Sequence, residues 1–285
     1  MHSLEEVAVL QGLGTRVETP CGGGTLAWRR WGPADGRTVL LLHGGSGSWT
    51  HWVRNVGPLV EAGLQVLVPD MPGFGESAAP PDGHDADALP RWLERGLHAQ
   101  LGDRAVEVVG FSLGGLVAGL WAQAVPGRFA RLVLVGSPGL SAELLPPLDL
   151  WRWDLLPAGP ARDAVHRHNL LTLMLAREKS ATPLAVALHA ANVERDRLRR
   201  RRLMLTDALR PALATLHCPL HGIWGEEDVL YRYRRPLVEH VLSEAPSFRS
   251  LQWIGLAGHW VQFEAAEAFN DALACALAVV GTDSD

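Results

Sequence analysis

Short runs of apolar residues recur along the chain, separated by stretches long enough to hold a helix. The clearest is residues 38–42, TVLLL, and further runs lie at 66–68, 106–109, 132–135 and 220–224. A strand that is apolar on both faces needs cover on both faces, as in a parallel sheet packed between two layers of helices. The sequence therefore predicts an α/β fold built on a mostly parallel sheet.

Three more segments extend this pattern. Residues 14–19 and 24–31 predict an antiparallel pair that turns at glycines 22–24, and residues 248–254 predict a further strand. Helical patterns lie between the strands, at about 50–62, 85–101, 113–125, 231–242 and 260–279. We expect eight strands in one sheet, with helices on both of its faces.

Residues 139–210 interrupt the alternation of strands and helices. This stretch contains two proline-rich segments, no convincing strand and two or three helical patterns. An insertion at this point would lie over the C-terminal edge of the sheet, where open α/β sheets bind their ligands. The sequence thus predicts a core of residues 1–138 and 211–285, with residues 139–210 as an all-helical cap.

The charge of the chain argues against several classes of partner. Its formal net charge is -5, so neither nucleic acid nor an anionic membrane is expected. Lys179 is the single lysine, which argues against Schiff-base and pyridoxal chemistry because those mechanisms need an amine. No metal or organic cofactor is implied, and the expected partner is a small-molecule substrate. The oligomeric state stays open, a homodimer included.

The cysteines and the N-terminal residues bear on the compartment. Cys21, Cys218 and Cys275 are far apart and show neither metal-binding nor redox spacing. An odd, scattered set is typical of buried thiols in a reducing compartment. The first residues, MHSLEEVAVLQGLG, carry acids where a secretory signal would carry bases. We expect a cytoplasmic protein.

The most specific motif is GFSLGG at residues 110–115, which contains the pattern G-x-S-x-G. It follows the apolar run that ends at Val109 and precedes a helical pattern, which is the context of a nucleophile elbow. Small residues are needed there because a sharp strand-to-helix turn leaves no room for side chains. Ser112 is the predicted nucleophile, close to the positive end of the following helix.

A serine hydroxyl is a weak nucleophile until a base takes its proton. Of the 12 histidines, His259 is the predicted base because it lies between the strand pattern at 248–254 and the last helix. The acid that orients the base should follow a strand, between the serine and the histidine in chain order. Glu226, Glu227 and Asp228 compete for this role. Asp228 is preferred because its short side chain suits a fixed loop position.

Attack by a serine also needs N–H donors for the oxyanion of the transition state. One predicted donor is the backbone N–H of Leu113, directly after the nucleophile. The other should come from the loop HGGSGS at residues 43–48, after the third strand. Small residues in this loop let the backbone approach a substrate. Gly45 is the expected donor, with Ser46 as the second choice.

Taken together, these motifs resemble the α/β-hydrolase superfamily. The matching stretches are the loop that begins at His43, residues 69–77 after the fourth strand, the elbow at Ser112, residues 225–228, and Gly258-His259. The order of serine, acid and histidine, with the expected elements between them, is more specific than any single motif. The resemblance implies the α/β-hydrolase fold for nearly the whole chain outside the cap.

Two stretches are similar to a narrower group, the carbon–carbon hydrolases that cleave ring-fission products of aromatic degradation. They are HGGSGSWTHW at residues 43–52 and GHWVQFEAAEAFN at residues 258–270. In that family a tryptophan follows the catalytic histidine, as Trp260 does here, and a cap arginine helps to bind a dienoate carboxylate. The arginines at 195, 197 and 199–202 are candidates for that role, although a solvated helix face is the simpler interpretation.

Three functions stay open. The first, which we favour on sequence, is hydrolysis of an ester or thioester of a small apolar substrate through an acyl-enzyme. The second is hydrolysis of a carbon–carbon bond in a vinylogous 1,5-diketone by the same residues. It comes second because that family commonly has asparagine before the nucleophile, where this chain has Phe111. The third is a ligand receptor without catalysis on the same fold.

The substrate pocket is expected to be apolar. Phe111 and Trp260 would lie next to the nucleophile and the base, and Gly44 would leave space beside them. Trp49 and Trp151 are further candidates for contact with substrate. Tryptophans in a cap and near a catalytic loop fit an acyl or aromatic group. The cap is therefore expected to set specificity.

Overall fold

The computed structural model describes residues 3–142, 147–198 and 200–278. Eight strands lie in these residues: β1 (Thr15–Cys21), β2 (Gly24–Trp31), β3 (Thr38–Leu42), β4 (Gln65–Pro69), β5 (Val106–Phe111), β6 (Phe129–Val135), β7 (Leu220–Gly225) and β8 (Phe248–Ile254). They form one sheet in the order β1-β2-β4-β3-β5-β6-β7-β8. Strands β1, β2 and β4 pair antiparallel, and the pairs from β4 through β8 are parallel.

The sheet separates two hydrophobic cores. In β3, Leu40 and Leu42 pack into one core, while Val39 and Leu41 pack into the other on the opposite face. Successive residues of a strand point to opposite sides. Because a core covers each side of the sheet, all four side chains are fully buried. The prediction of a mostly parallel eight-stranded sheet covered on both faces is confirmed.

The described helices alternate with these strands. They are α1 (Leu4–Leu13), α2 (Val56–Glu61), α3 (Pro90–Leu101), α4 (Leu113–Ala124), α5 (Pro160–Leu173), α6 (Pro183–Glu194), α7 (Leu209–Ala214), α8 (Arg235–Ser243), α9 (Val261–Glu264) and α10 (Ala266–Leu277). Residues from α3, α4 and α8 contribute to one core, and residues from α1, α2 and α10 to the other. Among the residues described, no helix is long and apolar enough to cross a membrane.

Several helix boundaries differ from the predicted ones. Helix α3 begins at Pro90 and not at residue 85, and α8 begins one residue before Pro236 and not at residue 231. Proline is favourable in the first turn of a helix but disrupts its interior, so each helix has its proline in the first turn. The helix predicted at 260–279 divides at Ala265 into α9 and α10.

The N-terminal helix α1 was not predicted. Its first turn has a capping box, in which the Ser3 hydroxyl accepts a hydrogen bond from the Glu6 N–H and the Glu6 carboxylate accepts one from the Ser3 N–H. The spacing S-x-x-E at residues 3–6 is a known signature of such a start. The helix could therefore have been recognised from the sequence.

The segment between β6 and β7 contains α5, α6 and α7. Its described residues include no strand. Helix α7 begins at Leu209, just inside the predicted end of the insertion, and the Leu209 N–H donates to the carbonyl oxygen of Gly139 over 2.8 Å. The Leu209 side chain also packs against Gly119 of α4. The division into core and cap stays a prediction, with α7 lying against the core.

Two of the three cysteines match the expectation of buried thiols. Cys21 and Cys218 are buried, and burial raises the pKa of Cys218 to about 11. Cys275 lies on the exposed side of α10, so for this residue the expectation is wrong. It lies two residues before the end of the helix, where Ala276 and Leu277 face the core instead.

Candidate active site

Ser112 lies in the turn between β5 and α4. Its backbone has φ 50° and ψ -120°, a region that residues with a side chain rarely adopt. The turn is tight: a Cβ atom at Gly114 would lie 2.4 Å from the Leu42 carbonyl oxygen, and one at Gly110 would lie 2.6 Å from the Gly114 carbonyl oxygen. Glycine is therefore required at both positions. The strand, sharp turn and helix predicted around Ser112 are all present.

Ser112, His259 and Asp228 form a hydrogen-bonded line. The Ser112 hydroxyl lies 3.0 Å from His259 Nε2, and His259 Nδ1 lies 2.8 Å from Asp228 Oδ2. A carboxylate can only accept, so Nδ1 carries the proton and Nε2 is free to accept one from the serine. All three side chains are buried. This is the arrangement that activates a serine hydroxyl.

Only one of the three competing acids reaches the histidine. Asp228 is fully buried, and its Oδ1 accepts a hydrogen bond from the Leu230 N–H over 2.9 Å. This bond fixes the carboxylate in the loop after β7. Glu226 lies 3.3 Å from Arg235 instead, and Glu227 is exposed.

The loop that carries His259 is held by a buried carboxylate. The Glu264 side chain accepts hydrogen bonds from the backbone N–H groups of Gly258, Ala176 and Arg177, over 2.8 to 2.9 Å. The Trp260 N–H also donates to the Met174 carbonyl oxygen over 2.7 Å. The residues on both sides of His259 are thus fixed to the segment that follows α5.

The predicted oxyanion donors lie on either side of the nucleophile. Neither the Gly45 N–H nor the Leu113 N–H donates to another group in the described residues. The Gly44 N–H is used by His51 Nδ1, 3.2 Å away. Ser46 has φ 48°, and its hydroxyl donates to Asp196 over 2.5 Å. The Ser46 N–H also donates to no group in the described residues, so Gly45, Ser46 and Leu113 all have an N–H available for an oxyanion.

His43 holds the first residue of this loop in place. Its Nδ1 donates to the Gly44 carbonyl oxygen, 2.7 Å away, and its Nε2 accepts from the Met71 N–H, 2.9 Å away. Complete burial lowers the pKa of His43 to about 4. A neutral imidazole with both nitrogens hydrogen-bonded thus connects the end of β3 to the loop after β4.

A cavity of about 570 Å³ opens onto Ser112 and His259. Gly44, Phe111 and Trp151 line it as predicted from the sequence, and so do Gly45 and Ser46. This volume fits a drug-sized or smaller ligand. Phe111 is fully buried with its ring centroid 5.0 Å from that of His259, so the wall beside the nucleophile is apolar.

Two tryptophans predicted to contact substrate do not line the cavity. Trp49 is buried against Trp31, with ring centroids 5.6 Å apart. Trp260 is fully buried and stacks on Phe263 at 4.2 Å. Its indole N–H donates to the His51 carbonyl oxygen over 3.0 Å, which places Trp260 behind His51. Both side chains instead pack in the core that contains Val39 and Leu41.

Sequence reasoning missed two histidines in the cavity wall. His51 is 3% exposed, and His189 faces the cavity from α6. Burial lowers the pKa of both, for His189 to about 4. His51 lies inside the motif at residues 43–52, so the motif could have identified it as a residue of the cavity wall. No sequence signal marks His189, because its orientation depends on how α6 packs.

The arginine run has mixed roles. Arg201 reaches the cavity, where it lies 3.0 Å from Asp196. Arg197 donates to the carbonyl oxygens of Phe74 and Gly75. Arg195 is exposed, and Arg199 lies outside the described residues. The interpretation as solvated residues is therefore wrong for Arg201 but holds for four exposed arginines, at 195, 197, 200 and 202. The described residues of this run are not helical.

A buried line from carboxylate to imidazole to serine hydroxyl supports nucleophilic attack on a carbonyl. At the C-terminal edge of a mostly parallel sheet, it defines the class of serine hydrolases with an α/β fold. Comparison with known families agrees. The model of the alpha/beta hydrolase fold family matches residues 37–209, and the chain belongs to this family.

Curated relatives are similar over most of the chain. A 2-hydroxy-6-oxo-6-phenylhexa-2,4-dienoate hydrolase from Burkholderia cepacia is 28% identical over 252 residues, or 83% of this chain and 86% of that protein. A 2-hydroxy-6-oxononadienedioate/2-hydroxy-6-oxononatrienedioate hydrolase from Klebsiella pneumoniae is 30% identical over 267 residues, or 87% and 90%. The chain is a hydrolase, and the interpretation as a receptor without catalysis is not supported.

Solved structures show the same fold. A meta-cleavage product hydrolase from Pseudomonas fluorescens has a TM-score of 0.74 at 22% identity, covering 91% of this chain and 96% of that one. A carboxylesterase from Bacillus subtilis has a TM-score of 0.78 at 18% identity, covering 96% and 94%. Because a carbon–carbon hydrolase and an esterase both fit, the fold leaves the scissile bond open.

Proposed function

We propose that this enzyme hydrolyses a carbon–carbon bond next to a ketone in a conjugated, vinylogous 1,5-diketone. The observation that carries the proposal is the similarity, over more than four fifths of the chain, to relatives whose names state 2-hydroxy-6-oxo substrates of this kind. It reverses the order favoured on sequence, where ester hydrolysis came first. The substrate is a small molecule that enters the cavity above Ser112.

The first step is attack on the ketone. As the Ser112 oxygen bonds to the carbonyl carbon, its proton passes to His259 Nε2, and Asp228 stabilises the imidazolium that forms. The ketone oxygen becomes an oxyanion, for which the N–H groups of Gly45 and Leu113 are the proposed donors. This first step needs no group other than the substrate and these residues.

The second step breaks the carbon–carbon bond. The electron pair leaves on carbon, which is feasible because conjugation spreads the charge onto the far carbonyl of the substrate. The imidazolium of His259 returns its proton to this leaving group. A water molecule, deprotonated by His259, then hydrolyses the acyl-enzyme and frees a carboxylic acid. One water is consumed per bond cleaved.

Ester or thioester hydrolysis is the second candidate. The same triad would act, with an alkoxide or thiolate as the leaving group. Phe111 favours this candidate, because its buried ring places an apolar surface directly beside Ser112. An ester needs no polar group there to hold a conjugated leaving group.

Product analysis separates the two candidates. We would offer 2-hydroxy-6-oxo-6-phenylhexa-2,4-dienoate, both as the acid and as its primary amide, and measure benzoate release alongside turnover of p-nitrophenyl esters. We expect benzoate from at least one form. Rapid ester turnover without benzoate from either form would overturn the proposal.

The Ser112→Ala variant is the control for this assay. It should lose at least roughly 10³-fold in kcat, the scale expected when one member of a triad is removed. Because the change removes a single oxygen at a surface that faces the cavity, the melting temperature should stay within about 2 °C of wild type. Retention of the wild-type rate would eliminate Ser112 as nucleophile.

A further inference from the structure

Each positively charged arginine that lines the cavity contacts a negatively charged aspartate. Arg152 donates two hydrogen bonds to Asp154, of 2.7 and 2.6 Å. Arg201 lies 3.0 Å from Asp196 and also donates to the Ser46 hydroxyl. The described lining therefore has two arginines and two aspartates, and each arginine contacts one of the aspartates. It has no further arginine or lysine to neutralise an anion bound in the cavity.

Two histidines in the same wall offer hydrogen bonds without charge. His51 Nδ1 accepts from the Gly44 N–H, so the proton of this imidazole is on Nε2. The ring of His189 packs edge-on to His166, 5.8 Å away, and no ring nitrogen of His189 bonds to the described protein. Burial is the main cause that lowers the pKa of both rings. Each is a neutral N–H donor near pH 7.

These histidines lie close to each other and to the base. A proton on His189 or on His259 would lower the pKa of His51, so the electrostatic field of each ring reaches His51. On the other side of His259 lies the fully buried carboxylate of Asp228.

A carboxylate would be poorly accommodated at this end. It would lose its hydration and find only neutral donors. An anion buried without a cationic partner is strongly disfavoured. A neutral oxygen would accept the same N–H donors and would not meet this electrostatic penalty.

We infer that the substrate end held by His51 and His189 is an uncharged hydrogen-bond acceptor, such as an amide, ester or ketone oxygen, and that the cavity discriminates against a carboxylate there. The inference takes the carbon skeleton of the substrate from the proposed function and rests on it to that extent. The absence of charge at this end of the substrate is inferred independently of that function. It separates this chain from relatives whose names specify dienoate and dienedioate substrates.

Arg201 is the competing site for a carboxylate. Its guanidinium lies beside Gly45, with Nη1 2.9 Å from where a Cβ atom of that glycine would be. That Nη1 lies 3.0 Å from Asp196 and has no hydrogen-bond partner among the described residues, so an anion bound there would share the guanidinium with Asp196. Asp196 also accepts hydrogen bonds from the Ser46 hydroxyl and the Leu198 N–H. An Arg201→Gln variant tests this alternative directly.

The test measures binding and does not depend on turnover. The Ser112→Ala protein is titrated near neutral pH with 2-hydroxy-6-oxo-6-phenylhexa-2,4-dienoate and with its primary amide. We expect the amide to bind about 10-fold more tightly, because an unpaired buried charge is disfavoured by at least this factor. A preference of less than about threefold, or any preference for the acid, overturns the inference. So does a failure to bind either form.

Two variants of the same protein locate the preference. His189→Arg introduces a cation and should move the amide-to-acid ratio of affinities by roughly tenfold toward the acid. His189→Gln, which stays neutral, should retain the preference for the amide. An unchanged ratio in His189→Arg would overturn the assignment of His189. If Arg201→Gln loses binding of the acid while the His189 variants do not, the carboxylate is assigned to Arg201. That result would also overturn the assignment of His189.

The outcomes also separate this inference from the proposed function. If the amide binds more tightly but wild-type enzyme releases benzoate from neither form, the carbon–carbon proposal fails and the preference for a neutral ligand stands. If benzoate is released and the acid is preferred, the function stands and the present inference fails.

Discussion

At the scale of single residues, Ser112 combines an unfavourable backbone with a favourable side-chain contact. Its φ of 50° is of the kind that costs about 1–3 kcal/mol outside glycine. The surrounding glycines and the hydrogen bond from its N–H to the Val135 carbonyl oxygen, 2.8 Å long, hold it there. The same turn directs its hydroxyl at His259. The backbone conformation is thus part of the site's chemistry.

The acid of the triad can be tested against its neighbour. Asp228→Asn would place an amide N–H opposite His259 Nδ1 and reverse the tautomer, so that Nε2 could no longer accept the serine proton. We expect kcat to fall by about 10³–10⁴-fold in the product-release assay. The matched control is Glu227→Gln, at an exposed position one residue away, which should change kcat less than twofold. Equal losses would contradict the role of Asp228.

The buried histidines predict a loss of stability in acid. The pKa of His189 is lowered to about 4, against about 6.5 in an unfolded chain. Between these values the unfolded state binds the extra proton, so the free energy of unfolding should fall as the pH drops from about 6.5 to 4. Its slope is up to roughly 1.4 kcal/mol per pH unit for each such group.

Melting temperatures from near pH 7 to near pH 5 test this prediction. The His189→Gln variant should lose less stability over that interval than wild type, by a few degrees. His84→Gln, at an exposed histidine, should follow the wild-type curve. The same acid-induced loss in both variants would show that His189 does not titrate as stated.

At the scale of elements, the site depends on how closely α4 approaches the sheet. Gly114, in the first turn of α4, lies so near β3 that a Cβ atom would be 2.4 and 2.6 Å from the carbonyl oxygens of Leu42 and His43. These are backbone atoms, which cannot move aside without shifting a strand. Close approach of α4 therefore requires glycine at this position.

Gly114→Ala should destabilise the protein by several kcal/mol, since overpacking against fixed atoms costs about 1–3 kcal/mol or more. We expect a melting temperature at least about 5 °C lower. Gly57→Ala in α2 is the matched control, because nothing lies within 4 Å of its added Cβ and alanine favours a helix. Thermal unfolding of both variants decides the matter; equal melting temperatures would refute the packing argument.

At the scale of the whole molecule, one buried carboxylate connects distant parts of the site. The side chain of Glu264 has no exposed surface. It binds the segment after α5 through the N–H groups of Ala176 and Arg177, and the histidine loop through that of Gly258. The position of the base thus depends on the chain that follows α5.

Glu264→Gln would turn an amide NH₂ toward backbone donors and leave some of them unpaired. The expected loss is about 2–4 kcal/mol of unfolding free energy, or roughly 5–10 °C in melting temperature. Glu267→Gln, at an exposed acid on α10, should change it by no more than about 2 °C. A Glu264→Gln protein that melts with wild type and keeps full kcat would exclude this connection.

Much of the fold followed from local patterns. Strands β3 and β8 have the predicted bounds, because strand patterns between turn residues are read without reference to the rest of the chain. The helix starts were less accurate. For α3 and α8, the positions of Pro90 and Pro236 decided them, which the hydrophobic pattern alone does not include.

The sequence by itself picked out Ser112, His259 and Asp228, the three residues that the structure joins by hydrogen bonds. Each is specified by a few neighbouring residues: the glycines around Ser112, the strand before Asp228, and the short motif that contains His259. Such signals survive without tertiary information because backbone sterics and strand order act over short distances.

Only the tertiary structure decided which further side chains line the cavity and which candidates do not. It placed His51, His189 and Arg201 in the wall, and it turned Trp49 and Trp260 into the core. These outcomes depend on contacts between residues far apart in the chain, such as the hydrogen bond of Ser46 to Asp196. A side chain on a helix or loop has no fixed direction relative to a pocket until its element is packed, and packing is a property of the whole chain.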